Sequence, residues 1–390
     1  MDKNSILIVG ARPEVEERLS AALGQQNAIT TVPDAGSARR AVQKGPPTLA
    51  VVSLRDGAAA DATDLVRELT SVGSLVVVQG ASKEPEAILS AMRAGAREFV
   101  VAGEDQELEK RVEGLLERSG ALRVGQVTAV FPVKGGMGAT TLATQLAGAF
   151  HRRGGKRVCL VDLDLELGDV LSFLDLPGKY SLADVAANAR RLDRELLDSS
   201  VPRHSSGVWV LSQCEKVGEA DRIDAAGLGS MLRFLRQCYD HVVLDGLRDF
   251  GDLPLAALDV ADRVLVVATQ EVPAVRNAQR CADLFRQLGY DPKRLMLLLN
   301  RYQKGSPITR EVVEETVGLR VAATVGNDFH ALSRAVNRGV LIWDEAPRSV
   351  VARDVDALAA LVDGTRAEAA EKPPLLKKFL SPLVAAYGTK

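Results

Sequence analysis

Short apolar runs alternate with amphipathic segments along the whole 390-residue chain. Apolar runs bounded by turn residues suit strands buried on both faces, and the helical spacing between them suits covering helices, so the pattern predicts repeated βα units. In the first part SILIVG (5–10), TLAVVS (48–53), SLVVVQ (74–79) and EFVV (98–101) predict strands, with helices near 13–23, 35–44, 61–71, 84–94 and 105–118. The second part predicts strands at 126–132, 157–162, 207–212, 241–245, 263–269, 294–300 and 320–325. Helices are predicted there near 140–153, 192–199, 224–239, 273–288, 308–317 and 352–363.

The fold class is therefore α/β. Residues 1–118 read as a flavodoxin-like domain. Glycines and a serine in RSGALRVGQ break the helical pattern and mark a linker at 119–125. Residues 126–368 read as a larger, doubly wound, mostly parallel domain, and 369–390 as a tail of different character. In that tail Leu375, Leu376, Phe379, Leu380 and Leu383 share a helical face opposite Lys377 and Lys378, interrupted by Pro382. Disorder or docking on a protein partner is favoured over weak peripheral membrane contact, because apolar length and basic charge are both small.

Composition narrows the picture. Lys plus Arg (49) nearly balances Asp plus Glu (51), so the net charge of −2 offers no whole-molecule attraction to nucleic acid, and no sequence-specific nucleic-acid role is expected. The four cysteines (Cys159, Cys214, Cys238, Cys281) form no CxxC pair, which favours reduced thiols and a cytoplasmic setting. The four histidines show no metal spacing. No run approaches the length of a membrane span or a signal-peptide core.

The chemistry concentrates in FPVKGGMGATTLATQLAGAF. A strand leads into Lys134-Gly135-Gly136-Met137-Gly138-Ala139-Thr140-Thr141 and then a helix. Glycines permit left-handed backbone and turn N–H groups toward phosphate oxygens, the helix N-terminus adds partial positive charge, and the Thr140 hydroxyl suits Mg²⁺. A glycine-rich strand-to-helix turn without a ligand is the plainer alternative.

This loop resembles the deviant Walker A of the MinD/ParA group of P-loop ATPases, over about residues 126–365. The resemblance implies bound ATP and Mg²⁺, and a homodimer that sandwiches the nucleotide. Lys134 matches the signature lysine that reaches a partner's phosphates. The loop lysine falls at Ala139, a departure that costs on the order of 10²–10³ in rate. By the same resemblance Asp164 orients the attacking water, Asp162 supports the metal shell, and Asp245 at the Walker B position holds Mg²⁺ with Thr140. The usual Asp-x-Pro-x-Gly switch is replaced by Gly246-Leu247-Arg248 after Asp245. Asn300, followed by Arg301, matches the adenine-reading asparagine, and Asp328 lies in a segment like the one that closes the base pocket.

DLDLELGDVLSFLDLPGKYSLADVAANARRLD, DGLRDF, ATQEVPAVRNAQR and FHALSRAVNRGVLI resemble the TadZ/CpaE branch of tight-adherence pilus assembly proteins. That branch joins the ATPase to an N-terminal receiver-like domain, and AMRAGAREFVV is similar to the segment before a receiver's last strand. Here Val9-Gly10-Ala11 stands where metal-binding acids belong, Ser53 at the phosphoacceptor, and Gln79 and Ala102 at the two switch positions. Asp56 lies three residues late. A pseudo-receiver used for docking or dimerisation follows. The resemblance implies an ATP-binding localisation factor that recruits a pilus or secretion machine to the inner membrane or cell pole, through assembly proteins or a polar hub. The alternatives are a cycling MinD/ParA-type ATPase that positions cargo and, more remotely, a DNA-partition ATPase.

Overall fold

The computed structural model describes residues 4–23, 27–54, 59–119, 125–178, 181–188, 197–199, 201–212 and 223–364. The tail at 369–390, Asp56, Cys214, most of the linker and most of the helix expected at 192–199 lie outside these residues.

The first sheet has five strands, β1 (Asn4–Val9), β2 (Asn27–Val32), β3 (Leu49–Ser53), β4 (Leu75–Gly80) and β5 (Glu98–Val101). All pairs are parallel in the order β2-β1-β3-β4-β5. That is the doubly wound flavodoxin-like order. Helices α1 (Pro13–Leu23) and α5 (Asp105–Arg118) bury Val15, Leu19, Leu108 and Val112 against Ile6 and Ile8 on one face. Helices α2 (Ala35–Lys44), α3 (Ala59–Ser71) and α4 (Pro85–Ala94) cover the other face, where Leu7 and Val9 point. Strand β2 had no counterpart in the sequence reading. NAITTV lacks an apolar run because it is an edge strand, with only Asn27 buried.

The second sheet has seven strands in the order β12-β11-β10-β6-β9-β7-β8. They are β6 (Gln126–Pro132), β7 (Val158–Asp162), β8 (Trp209–Leu211), β9 (His241–Asp245), β10 (Arg263–Ala268), β11 (Leu295–Tyr302) and β12 (Val321–Gly326). Every named pair is parallel. The helices that position the site are α6 (Ala139–Arg152), α7 (Val170–Phe173), α8 (Leu182–Asn188), α9 (Ala225–Cys238), α10 (Asp252–Val260) and α11 (Val272–Gln287). They are followed by α12 (Arg310–Val317), α13 (Phe329–Asn337), α14 (Ile342–Glu345) and α15 (Val350–Val362). Helix α10 is an addition to the sequence expectation. Its Pro254 reads as a breaker, yet falls in the first turn, where proline costs no helical hydrogen bond.

Helices α5 and α9 meet along a charged seam between the two sheets. Arg233 lies 3.9 Å from both Glu109 and Glu113, and Arg236 3.5 Å from Glu117. The Gln237 amide donates to the Ala22 carbonyl across the same seam.

Candidate functional site: a phosphate-type loop above three acids

Strand order brings the candidate residues together. β6 sits between β9 and β10, so the loop after β6 is flanked by Asp245 at the end of β9 and by Thr269 after β10. Asp162 ends β7 in register with Asp245. Asn300 lies on β11, one strand beyond β10. All of these lie at the carboxyl edge of a doubly wound sheet, the edge where such folds bind ligands.

The loop is held from outside. The Val133 N–H donates to the Val267 carbonyl at 3.1 Å, and the Asn277 amide donates to the Val133 carbonyl at 3.2 Å. Met137 is buried, with the Thr269 hydroxyl 3.6 Å from its sulfur. Gly136 and Gly138 adopt φ of 79° and 78°, a left-handed region that favours glycine. Gly138 also caps α6, and a Cβ there would stand 2.8 Å from Asn300 Nδ2. Space around Gly135 and Gly136 is open. Behind the loop, α6 is buried from Leu142 to Phe150, which fixes its positive end toward the turn.

The acids sit below. Asp245 is buried, and its Oδ1 has no hydrogen-bond partner. Burial pushes its carboxyl up, opposed by the Thr140 side chain and the Gly246 N–H. A buried, orphaned carboxylate oxygen beside the first hydroxyl of a phosphate-type loop is a fitting donor set for Mg²⁺. Asp162 is fully buried and pushed up to about 7 by burial and by Asp245. Its oxygens accept the N–H groups of Asp164 (3.0 Å) and Val170 (3.2 Å), so it anchors the loop that carries Asp164. Asp164 accepts the Leu167 N–H at 3.2 Å and forms an ion pair with Arg248. Among the described residues no group of three or more His, Cys, Asp or Glu side chains is arranged to hold a metal by itself. A metal here would depend on the Thr140 hydroxyl and on a ligand's own oxygens.

The remaining candidates divide. Lys134 projects from the loop and pairs with Glu271 at 3.0 Å, at the start of α11. Ala139 and Thr141 open α6, with Thr140 between them. Asn300 differs from the expected purine reader in its present contacts. Its amide donates to the Met137 carbonyl at 2.7 Å and its oxygen accepts the Arg301 N–H at 3.0 Å. Arg301 holds a positive φ of 53°, and its guanidinium lies 3.9 Å from the position a Gly138 Cβ would take. Asp328 is occupied structurally: it caps α13 through the Ala331 N–H and accepts the Ser349 hydroxyl at 2.6 Å. Glu271 and the Arg248–Asp164 pair were not visible in the sequence, since each joins ends of different strands. Their only local signal is a charged residue just beyond an apolar run.

The family described as CobQ/CobB/MinD/ParA nucleotide binding domain matches residues 128–342. The septum site-determining protein MinD of Thermotoga maritima is 27% identical over 224 residues, which are 56% of this chain and 80% of that protein. The antiactivator FleN of Pseudomonas aeruginosa is 27% identical over 256 residues, 64% of this chain and 90% of that protein. A ParA family ATPase from Chlorobium tepidum superposes with a TM-score of 0.57 at 22% identity, over 60% of this chain and 98% of that one. MinD from Pyrococcus horikoshii, solved with Mg-ADP, gives 0.54 at 20% identity, over 62% and 97%. At those identities the structural likeness speaks for the fold. With the family match spanning more than half its length, the chain belongs to the CobQ/CobB/MinD/ParA nucleotide-binding family.

Proposed function

We propose that this protein binds Mg²⁺-ATP at the 134–141 loop and uses occupancy, more than turnover, to bring two copies together. The observation that carries the reading is the combination of an intact glycine cradle, an orphaned Asp245 oxygen beside Thr140, and alanine at 139. Backbone N–H groups and the end of α6 bind phosphate without help from side chains. Fast hydrolysis needs a preorganised cation on the transferring phosphate, and Ala139 supplies none. When bound, Mg²⁺ neutralises charge on the β- and γ-phosphates. Thr140 and Asp245 would hold it, Asp162 would keep the Asp164 loop in place, Asp164 would orient water, and Asn300, Arg301 and Asp328 would border the base.

Lys134 carries the pairing. In the single chain its ammonium rests on Glu271, and both side chains are partly exposed. Such a pair is worth about 1 kcal/mol or less, so a partner's phosphates displace it readily. Nucleotide that binds the paired state better shifts the population toward it.

The finer assignment is to the TadZ/CpaE branch: a localisation factor that recruits a pilus or secretion assembly to the inner membrane or pole. Its support is the set of motifs given above, with residues 1–118 as a docking domain, 119–125 as linker and 126–368 as the ATPase domain. Among the described residues no helix is long and apolar enough to cross a membrane, so contact with the membrane would be peripheral. A second reading, a cycling MinD/ParA-type ATPase, is favoured by the complete acid set and by the MinD and FleN likeness. Sedimentation velocity with and without Mg²⁺-ATP tests the pairing. The expected result is a dimer with ATP, and a Lys134→Ala protein that stays monomeric at the same nucleotide concentration. Normal dimerisation of Lys134→Ala contradicts it.

A further inference from the structure

Arg248 stands out on three observations. It is the third residue after Asp245, on a segment that packs directly against the Asp164 loop: the Leu163 N–H donates to the Asp245 carbonyl at 3.0 Å, and a Cβ on Gly246 would collide with the Asp164 backbone. Gly246 keeps this approach open with a φ of 81°. The Arg248 side chain is 63% exposed, but its guanidinium turns inward onto an Asp164 carboxylate that is only 10% exposed. Finally, Arg248 is close enough to act on Asp245 as well, where its charge favours the ionised carboxylate.

We propose that Arg248 is a positioning residue that holds Asp164 in a cis ion pair and so acts as a second brake on hydrolysis, beside Ala139. This rests on the nucleotide reading above. A carboxylate that orients water must offer a free oxygen to the water's proton. In this chain one Asp164 oxygen accepts the Leu167 N–H and the other is taken by Arg248. The guanidinium also cancels the negative charge that would polarise the water. The arrangement costs little to keep, because the arginine stem remains in solvent and the pair is screened on one side. Release would require a movement of residues 246–248 away from the 163–167 loop, which is tied to β7 through Asp162.

The test is a two-by-two set, Arg248→Ala in the wild-type and Ala139→Lys backgrounds, with Arg248→Lys as the conservative variant. Three quantities are read on the full chain: Mg²⁺-ATP affinity, phosphate release, and amide exchange of the peptide covering 163–167. Arg248→Ala is expected to leave ATP affinity within about threefold and to speed exchange at Leu167 about fivefold, the scale of an ion pair exposed on one side. In the Ala139→Lys background it is expected to raise phosphate release by about fivefold or more. Arg248→Lys, which keeps the charge, should hold both near the parent values. An affinity loss of about tenfold without faster phosphate release would make Arg248 a phosphate ligand and overturn the proposal. Unchanged exchange and release would overturn it too. Should the wild type bind no ATP, the nucleotide reading fails by itself, and the exchange arm still decides whether Arg248 restrains Asp164.

Discussion

The carboxyl edges of the two sheets share an architecture and differ in nearly every side chain that matters. On the first sheet, β3 and β4 end in a neutral pair, the Ser53 hydroxyl 3.0 Å from the Gln79 amide oxygen, and the Gln79 Nε2 is buried without a partner. Val9 ends β1 and Gly10 follows it, both without charge, and the charges nearby are tied up in the pairs Arg12–Asp105 at 3.0 Å and Lys83–Glu104 at 2.9 Å. On the second sheet the corresponding edge carries Asp162, Asp164 and Asp245, all largely withdrawn from water, facing a loop of left-handed glycines. Parallel strands with helices on both faces supply a place for chemistry, while the residues at the strand ends decide whether any occurs. Buried acids without full hydrogen bonding are costly to keep. Such a cost marks the second edge as the candidate for chemistry, while among the described residues the first edge carries no comparable set of buried acids.

The largest expected effect comes from breaking the second edge. Gly138→Ala forces a Cβ into a left-handed position and against Asn300 Nδ2, and is expected to weaken retention of a fluorescent ATP analogue by about tenfold or more. The fold should survive, because the substitution adds one methyl at a partly exposed turn.

A middle-sized effect belongs to the seam that joins the two regions. Glu113 is buried and pushed up to about 7, chiefly by burial and then by Glu109 and Glu117, against the opposing charges of Arg233 and Arg236, with Arg18 beside Glu109. In the folded chain it keeps a proton that the unfolded chain releases near its ordinary value of 4.5. Its contribution to stability is therefore greatest below 4.5 and is lost as pH rises toward 7. The melting temperature should fall by roughly 2–4 °C between pH 5 and pH 8 on this account, and Glu113→Gln should remove most of that slope. An unchanged slope in the variant would place the pH dependence elsewhere.

The smallest effect is expected on the first edge. Ser53→Ala removes a hydroxyl whose bond to Gln79 is worth about 1 kcal/mol, and should leave ATP affinity unaltered within error in the same binding assay. Altered ATP affinity there would mean that the two edges communicate.

How much of this was legible in the chain depends on the range over which each signal acts. The loop at 134–141 was readable because Gly136 and Gly138 answer a local backbone demand. The paired acids Asp162 and Asp245 were readable because each closes an apolar run. Strand β2 was not, since an edge strand whose apolar residues are broken by the adjacent Thr30 and Thr31 carries no apolar signature. Helix α10 was masked by a proline that is harmless in a first turn. The contacts of Lys134 with Glu271 and of Asp164 with Arg248 span 137 and 84 residues, and only the strand order brings them together. Asn300 and Asp328 make hydrogen bonds that serve the loop and a helix cap, contacts that no local pattern announces.

The proposed function stands or falls on whether the turn at 134–141 holds a triphosphate although position 139 has no cation. Calorimetric titration of the wild-type chain with ATP, with and without Mg²⁺, tests it most directly. Saturable binding near one nucleotide per chain, strengthened by Mg²⁺, is the result predicted. Absence of heat at millimolar nucleotide, or binding indifferent to Mg²⁺, would contradict the account.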